Sequence, residues 1–259
     1  MRIGVSSACL YPMETEKAFS AIVEKGVPVC EIFFNAACEL KPRFVNELDA
    51  IRKSGETEVV SIHPMMSLAE SFMLFSAYDR RYREGLEDYK RYSEIASQFG
   101  AKYIIMHGGK PNGVLSDEQY FERFYEISKA VCENGATLLQ ENVVHFRAGN
   151  LDFMNKMAQY LGDEARFCLD VKQSIRGGYS PFDVLDNIGS HIKHIHISDN
   201  TPDNDCMLPL DGCFDFKAFF DAAKKNGYTG DSVIEVYRWA FGEPQELFSS
   251  HKRLCEKIF

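Results

Sequence analysis

The 259-residue chain has no CxxC pair; its eight cysteines stand singly at positions 9, 30, 38, 132, 168, 206, 213 and 255. That spacing argues against a thiolate metal cluster and against a disulfide framework. Cys30, Cys132 and Cys168 lie in apolar runs, where a thiol behaves as a small hydrophobe. Long apolar runs are missing too. The opening MRIGVSSACLYP lacks the apolar segment of a signal peptide, and no later window reaches membrane-span length. The expectation is a cytoplasmic protein with no membrane partner. Dense basic runs are also absent: 29 Lys and Arg against 38 Asp and Glu give a formal charge of −9. A nucleic-acid footprint needs a basic patch, so a nucleic-acid partner is disfavoured. There is no Pro/Ser-rich linker and no low-complexity tract. The first turn, SSACLYPMET, has no GxGxxG, and HGGKPNG (107 to 113) is not a Walker loop.

What the chain does have is a rhythm. RIGVSS (2 to 7), VCEIFF (29 to 34), EVVSIH (58 to 63), KYIIMH (102 to 107), ATLLQEN (136 to 142), RFCLDV (166 to 171), HIKHIHI (191 to 197) and DSVIEV (231 to 236) read as strands. Helical patterns separate them, over 14–25, 42–53, 82–99, 117–133, 151–161, 181–188, 215–226 and 243–257. Ser116 is a candidate N-cap, and Ser180-Pro181 matches a cap-then-Pro start. Near-continuous apolar strands alternating with helices predict a parallel sheet covered on its outer face. Eight such units in this length predict an α/β fold, a single (β/α)8 TIM barrel spanning 1–259 as one domain. An open doubly wound sheet is the structural alternative, without the Gly-rich first turn of its dinucleotide-binding forms.

Barrel active sites lie at the C-terminal strand ends. Those ends carry the Glu31 region, His63, His107, Glu141, Asp170, His196 with Asp199, and Glu235. Period-two alternation puts Glu141, Asp170, His196 and Glu235 on one face of four consecutive strands. Three converging carboxylates repel one another unless something positive compensates, and a divalent cation does so directly. Oxygen ligands plus one imidazole suit Mn²⁺, Mg²⁺, Co²⁺ or Zn²⁺. His63 and His107, on neighbouring strands, complete a second metal site with Glu141 or contact substrate oxygens. His194 lies one layer below His196 and is expected to be a satisfied interior imidazole. Asp199 is a candidate for orienting an imidazole, or a turn cap. Lys172, Arg176 and Arg238 are candidate grips for a substrate carboxylate or phosphate. The two glycines after His107 suggest close packing or a tight turn.

The segments SIHP (61 to 64), MHGG (106 to 109), LLQENV (138 to 143), CLDVKQ (168 to 173), IKHIHISD (192 to 199), PLDGCFDF (209 to 216) and VIEVYR (233 to 238) together resemble the xylose isomerase-like TIM barrels. That group includes sugar and sugar-phosphate isomerases and epimerases and the metal-dependent apurinic-site endonucleases. The resemblance implies that Glu141, Asp170, His196 and Glu235 hold one divalent ion, with room for a second. It implies that Glu141 and Glu235 are the acid–base pair of an epimerase or isomerase, moving a proton alpha to a carbonyl through an enediolate. The substrate would be a small sugar, polyol or sugar phosphate. The alternatives are a dehydratase of the keto-inositol type and an abasic-site endonuclease. Members of the group are often dimers or tetramers, so a homo-oligomer is compatible with the resemblance.

The chain departs from these relatives at several positions. Gln173 stands where a histidine is usual, and it can hydrogen-bond a substrate hydroxyl but not carry a proton. The endonucleases need an Asp-x-His after strand seven, where this chain has Asn204-Asp205-Cys206. Leu210 replaces the first glycine of the group's Pro-Gly-x-Gly loop.

Overall fold

The computed structural model describes residues 1–65 and 69–259. Its strands are β1 (Ile3–Ser6), β2 (Val29–Phe33), β3 (Glu58–His63), β4 (Tyr103–Met106), β5 (Thr137–Glu141), β6 (Phe167–Asp170), β7 (Ile192–Ile197), β8 (Asp199–Thr201), β9 (Asn204–Met207) and β10 (Ser232–Ile234). Eight of them close a barrel in the order β1-β10-β7-β6-β5-β4-β3-β2. All neighbours in it run parallel, and Gly4 opposite Val233 is one of the pairs that close the ring. Parallel neighbours need a crossover between them, and helices supply it. These are α1 (Thr15–Glu24), α2 (Pro42–Lys53), α3 (Glu70–Met73), α4 (Asp79–Phe99), α5 (Asp117–Cys132), α6 (Leu151–Leu161), α7 (Val171–Arg176), α8 (Pro181–Ile188), α9 (Phe216–Lys225) and α10 (Pro244–Ile258). The (β/α)8 barrel expected from the sequence is present.

Alternation along the strands separates two cores. Ile104, Met106, Leu138, Leu169, Ile195 and Ile234 join the large core between the sheet and the helices. Their neighbours face the lumen, which is filled by Val29, Val60 and Val233 in one cluster and by Ile105, Leu139 and Cys168 in another. The barrel is therefore packed, not hollow, and the ionisable strand ends sit above a floor of side chains.

Local signals set the helix starts. Ser116 and Gln119 form a reciprocal capping box at α5, and Ser180 caps α8 with Pro181 in its first turn. Helix α4 begins three residues before the expected Tyr82, at Asp79, whose charge suits the positive helix start. Two features differ from the expected layout. Helix α7 follows β6 directly, because the Asp170 carboxylate caps it by accepting from the Gln173 amide at 2.9 Å. After β7, the chain forms an antiparallel hairpin, β8 with β9, pairing Asp199 with Met207.

The thiols are all free; Cys9, Cys30, Cys168 and Cys206 are buried, and Cys132 is exposed. His251 is buried, and its Nε2 lies 2.9 Å from the Ile3 carbonyl oxygen. Among the described residues, no helix is long and apolar enough to cross a membrane.

Candidate metal centre

His196 is the hub of the strand-end residues. Its Nε2 lies 3.0 Å from Glu31 Oε2. Its Nδ1 lies 3.1 Å from Glu141 Oε1, 3.3 Å from Glu235 Oε2 and 3.9 Å from Asp170 Oδ2. One ligand atom from each of Glu141, Asp170, His196 and Glu235 falls within 4.8 Å of the others. The four residues come from the C-terminal ends of β5, β6 and β7 and from the residue after β10. Because β-strand side chains alternate, the inward face that carries Leu139 and Cys168 below also carries Glu141 and Asp170 above.

Glu31 is the member that strand-end reasoning did not weigh. It is fully buried in β2, between Cys30 and Ile32, which face the outer core. Ser61 and Ser6 hydroxyls donate to its two oxygens at 2.7 and 3.2 Å. A carboxylate held this way accepts a hydrogen bond from His196 Nε2–H and leaves Nδ1 as the nitrogen turned to the other three carboxylates. Replacing Glu31 by Gln is expected to weaken divalent-ion binding about 10- to 100-fold. Chelator competition measures it, and an unchanged affinity would show that His196 keeps its orientation unaided.

A second group sits beside the first and shares Glu141. The His63 and His107 Nε2 atoms are 3.1 Å apart, and Glu141 Oε2 lies 2.9 Å from His107 Nε2 and 3.6 Å from His63 Nε2. Despite those contacts, Oε2 is buried with no properly aligned hydrogen bond among the described residues. His63 Nδ1 points at the Pro64 carbonyl, 3.3 Å away, which leaves its Nε2 lone pair free to ligate. Two imidazole nitrogens aimed at each other and at an orphaned carboxylate oxygen are the donors of a cation site. Both groups therefore fit a divalent ion with nitrogen and oxygen ligands.

Electrostatics agree with crowding. Burial pushes Glu141 up, but the imidazoles of His107, His196 and His63 outweigh it and hold the carboxyl well below its usual range. Burial, opposed by the Lys172 ammonium and reinforced by Glu141 and Glu235, pushes Asp170 up to about 7. Lys172 is buried on α7, with Nζ bonded to Asp170 Oδ2 and, at 2.8 Å, to Glu235 Oε2. Glu141, Glu235, His63 and His107 line a cavity of about 360 Å³ whose walls also include Tyr11, Phe33, Asn35 and Tyr237.

The family model for xylose isomerase-like TIM barrels matches residues 19–256. The chain belongs to that family. No curated protein sequence matches it, but solved structures of similar shape are numerous. A D-tagatose 3-epimerase-like protein aligns over 100% of this chain and 97% of its own, at 20% identity and a TM-score of 0.81. The 3-keto-D-glucoside 4-epimerase YcjR from E. coli aligns over 99% of both chains, at 17% identity and a TM-score of 0.77. The IOLI protein, solved with a bound zinc atom, aligns over 100% of this chain and 98% of its own, at 16% identity and a TM-score of 0.77. At such identities the likeness is one of fold.

Within this xylose isomerase-like barrel, the remaining sequence candidates divide. His194 lies beneath His196, fully buried, and burial and the neighbouring His196 push it down to about 4. It is interior as expected but not fully satisfied, since Nε2 lies 3.3 Å from Ser61 Oγ while Nδ1 has no hydrogen-bond partner among the described residues. Gln173 lines the cavity and accepts from the Val144 amide at 3.2 Å, which leaves its NH₂ for a ligand. Asp199 does not orient an imidazole. Its two oxygens collect the amides of Asn200, Leu210, Gly212 and Phe214 at 2.7 to 3.0 Å, and Glu31 takes the role proposed for it. Arg176 and Arg238 both have partners within the chain, and Arg238 also lines the cavity. Arg176 is clamped on Asp205 and donates to the Tyr237 hydroxyl at 2.8 Å. Arg238 donates to the Phe241 and Gly242 carbonyls at 2.7 and 2.6 Å.

Two backbone details explain motif residues. Gly108, at φ 85°, passes so close to Tyr120 that an added Cβ would lie 2.0 Å from its hydroxyl. The glycine after His107 is therefore a packing requirement. Leu210 has φ 74°, the left-handed conformation that a glycine adopts without strain.

Proposed function

We infer that this xylose isomerase-like barrel is a divalent-metal-dependent isomerase or epimerase of a small sugar, with Glu141, Asp170, His196 and Glu235 as the ligands. One observation carries the reading: Glu141 and Glu235 line one cavity and reach the same nitrogen of His196, their donor atoms within 4.8 Å of those of Asp170. Glu141 and Glu235 are the acid–base pair. One removes the proton alpha to a substrate carbonyl, and the other returns a proton to the resulting enediolate. A divalent ion in this centre supplies Lewis-acid stabilisation of the negative charge that develops on the substrate oxygen. His63 and His107 either bind substrate oxygens or hold a second ion with Glu141. The aromatic walls and the Gln173 amide suit a polyhydroxylated ligand. Solved relatives named as sugar epimerases support the same chemistry.

The substrate in this reading is unphosphorylated. Of the three candidate anion grips, two have their charge matched by carboxylates, Arg176 by Asp205 and Lys172 by Asp170 and Glu235, and the third, Arg238, donates to two backbone carbonyls. The endonuclease alternative loses support on other grounds: Asn204 and Cys206 stand where its Asp-x-His needs the aspartate and the histidine, and Cys206 is buried.

The test is incubation of metal-loaded protein with a panel of free ketoses and their phosphates in D₂O. The expected result is deuterium at the carbon alpha to the carbonyl of recovered free sugar, together with its epimer or isomer. Release of water with an ultraviolet-absorbing product would replace this reading with the dehydratase. Exchange only with phosphates would overturn the neutral-substrate assignment, and incision of abasic DNA would overturn the whole.

A further inference from the structure

The position of Lys172 goes beyond this scheme. A lysine ammonium almost never reaches full burial unless carboxylates compensate it, and here the compensating groups are two proposed metal ligands. Asp170 has two oxygens. Oδ1 accepts the Gln173 amide that starts α7, so Oδ2 is the one left for a cation. Lys172 Nζ is bonded to that atom. In Glu235, the oxygen nearest His196 Nδ1 is Oε2, and Lys172 Nζ lies 2.8 Å from it and 3.4 Å from the Glu235 carbonyl. The amino group thus bridges the oxygens that face the imidazole hub. Other nearby cations are held elsewhere, Arg176 by Asp205 and Arg238 by carbonyls.

We propose that Lys172 is a tethered cation that contends with the divalent ion for Asp170 Oδ2 and Glu235 Oε2. This inference rests on the four-ligand reading of the centre. A divalent ion drawing on those two oxygens meets the ammonium at contact range, in a buried setting where like charges are poorly screened. The consequence is twofold. The lysine keeps three close carboxylates from repelling one another, and it lowers the affinity for the ion, making the metal exchangeable.

The experiment uses the full chain, stripped with chelator and titrated with Mn²⁺ by calorimetry, comparing wild type with K172M and K172Q. Both variants are expected to bind Mn²⁺ at least about tenfold more tightly, because the competing charge is gone. Their melting temperatures without added ion should fall, and the rise on adding Mn²⁺ should exceed that of wild type. Equal or weaker Mn²⁺ binding in the variants overturns the proposal. K172Q decides the matter if K172M does not fold. D170N, titrated in parallel, separates the two levels of inference. If D170N loses Mn²⁺ while K172M and K172Q bind as wild type does, the tethered-cation proposal alone falls. If D170N binds like wild type, the four-ligand reading falls and takes the proposal with it.

Discussion

Glu141→Gln is expected to remove proton exchange and metal binding together. Both oxygens of Glu141 face imidazoles: Oε1 lies 3.1 Å from His196 Nδ1, and Oε2 lies 2.9 Å from His107 Nε2 and 3.6 Å from His63 Nε2. Among the described residues, no other belongs to both of the groups that it joins. An amide in its place has no negative charge and turns a donor toward an imidazole nitrogen or an ion. Turnover should fall by about 10⁴-fold, the upper range for losing an acid–base group, and more if the ion leaves with it. Steady-state rates and metal content of the purified variant measure the two losses. Near-unchanged near-ultraviolet dichroism would show that the fold survives. Turnover close to that of wild type would remove Glu141 from the chemistry.

Metal removal is the second large effect. Dialysis against chelator is expected to reduce turnover below detection, and Mn²⁺, Co²⁺, Mg²⁺ or Zn²⁺ is expected to restore it to different degrees, since oxygen-rich sites are permissive. An ion that binds only the folded chain also stabilises it, by about 2.7 kcal/mol at one hundred times its dissociation constant. Melting temperature should therefore climb with ion concentration in wild type and hardly move in Asp170→Asn. Full activity in rigorously stripped protein would exclude the metal-dependent mechanism.

Much of this centre was legible in the sequence. Strands in a closed parallel barrel are apolar on both faces, so an ionisable residue at a strand end is conspicuous. The period of two then assigns its face. His196, Glu141, Asp170 and Glu235 were found that way, and the lumen residues Ile105, Leu139 and Cys168 confirm the phase below them. Glu31 gave a fainter signal. It is a carboxylate flanked by Cys30 and Ile32 inside an apolar run, and the same alternation would have turned it inward, but its partner His196 lies 165 residues away.

The partners of the cations were not legible for a related reason. Whether Arg176 is free or clamped depends on Asp205, 29 residues on, across a hairpin whose short strands gave no apolar pattern. Helix α7 was hidden because it has six residues and its cap, Asp170, already read as the end of a strand.

The four amides gathered by Asp199 affect more than the path of one loop. They fix the chain that leaves the C-terminal end of β7 on the rim that carries the site, including the strained turn at Leu210. A rim secured during folding leaves little there for an arriving ligand to order, so its recognition meets a mould already set. Altering specificity on that side of the barrel then means exchanging side chains on a fixed wall. Redrawing the loop would first have to release it from Asp199.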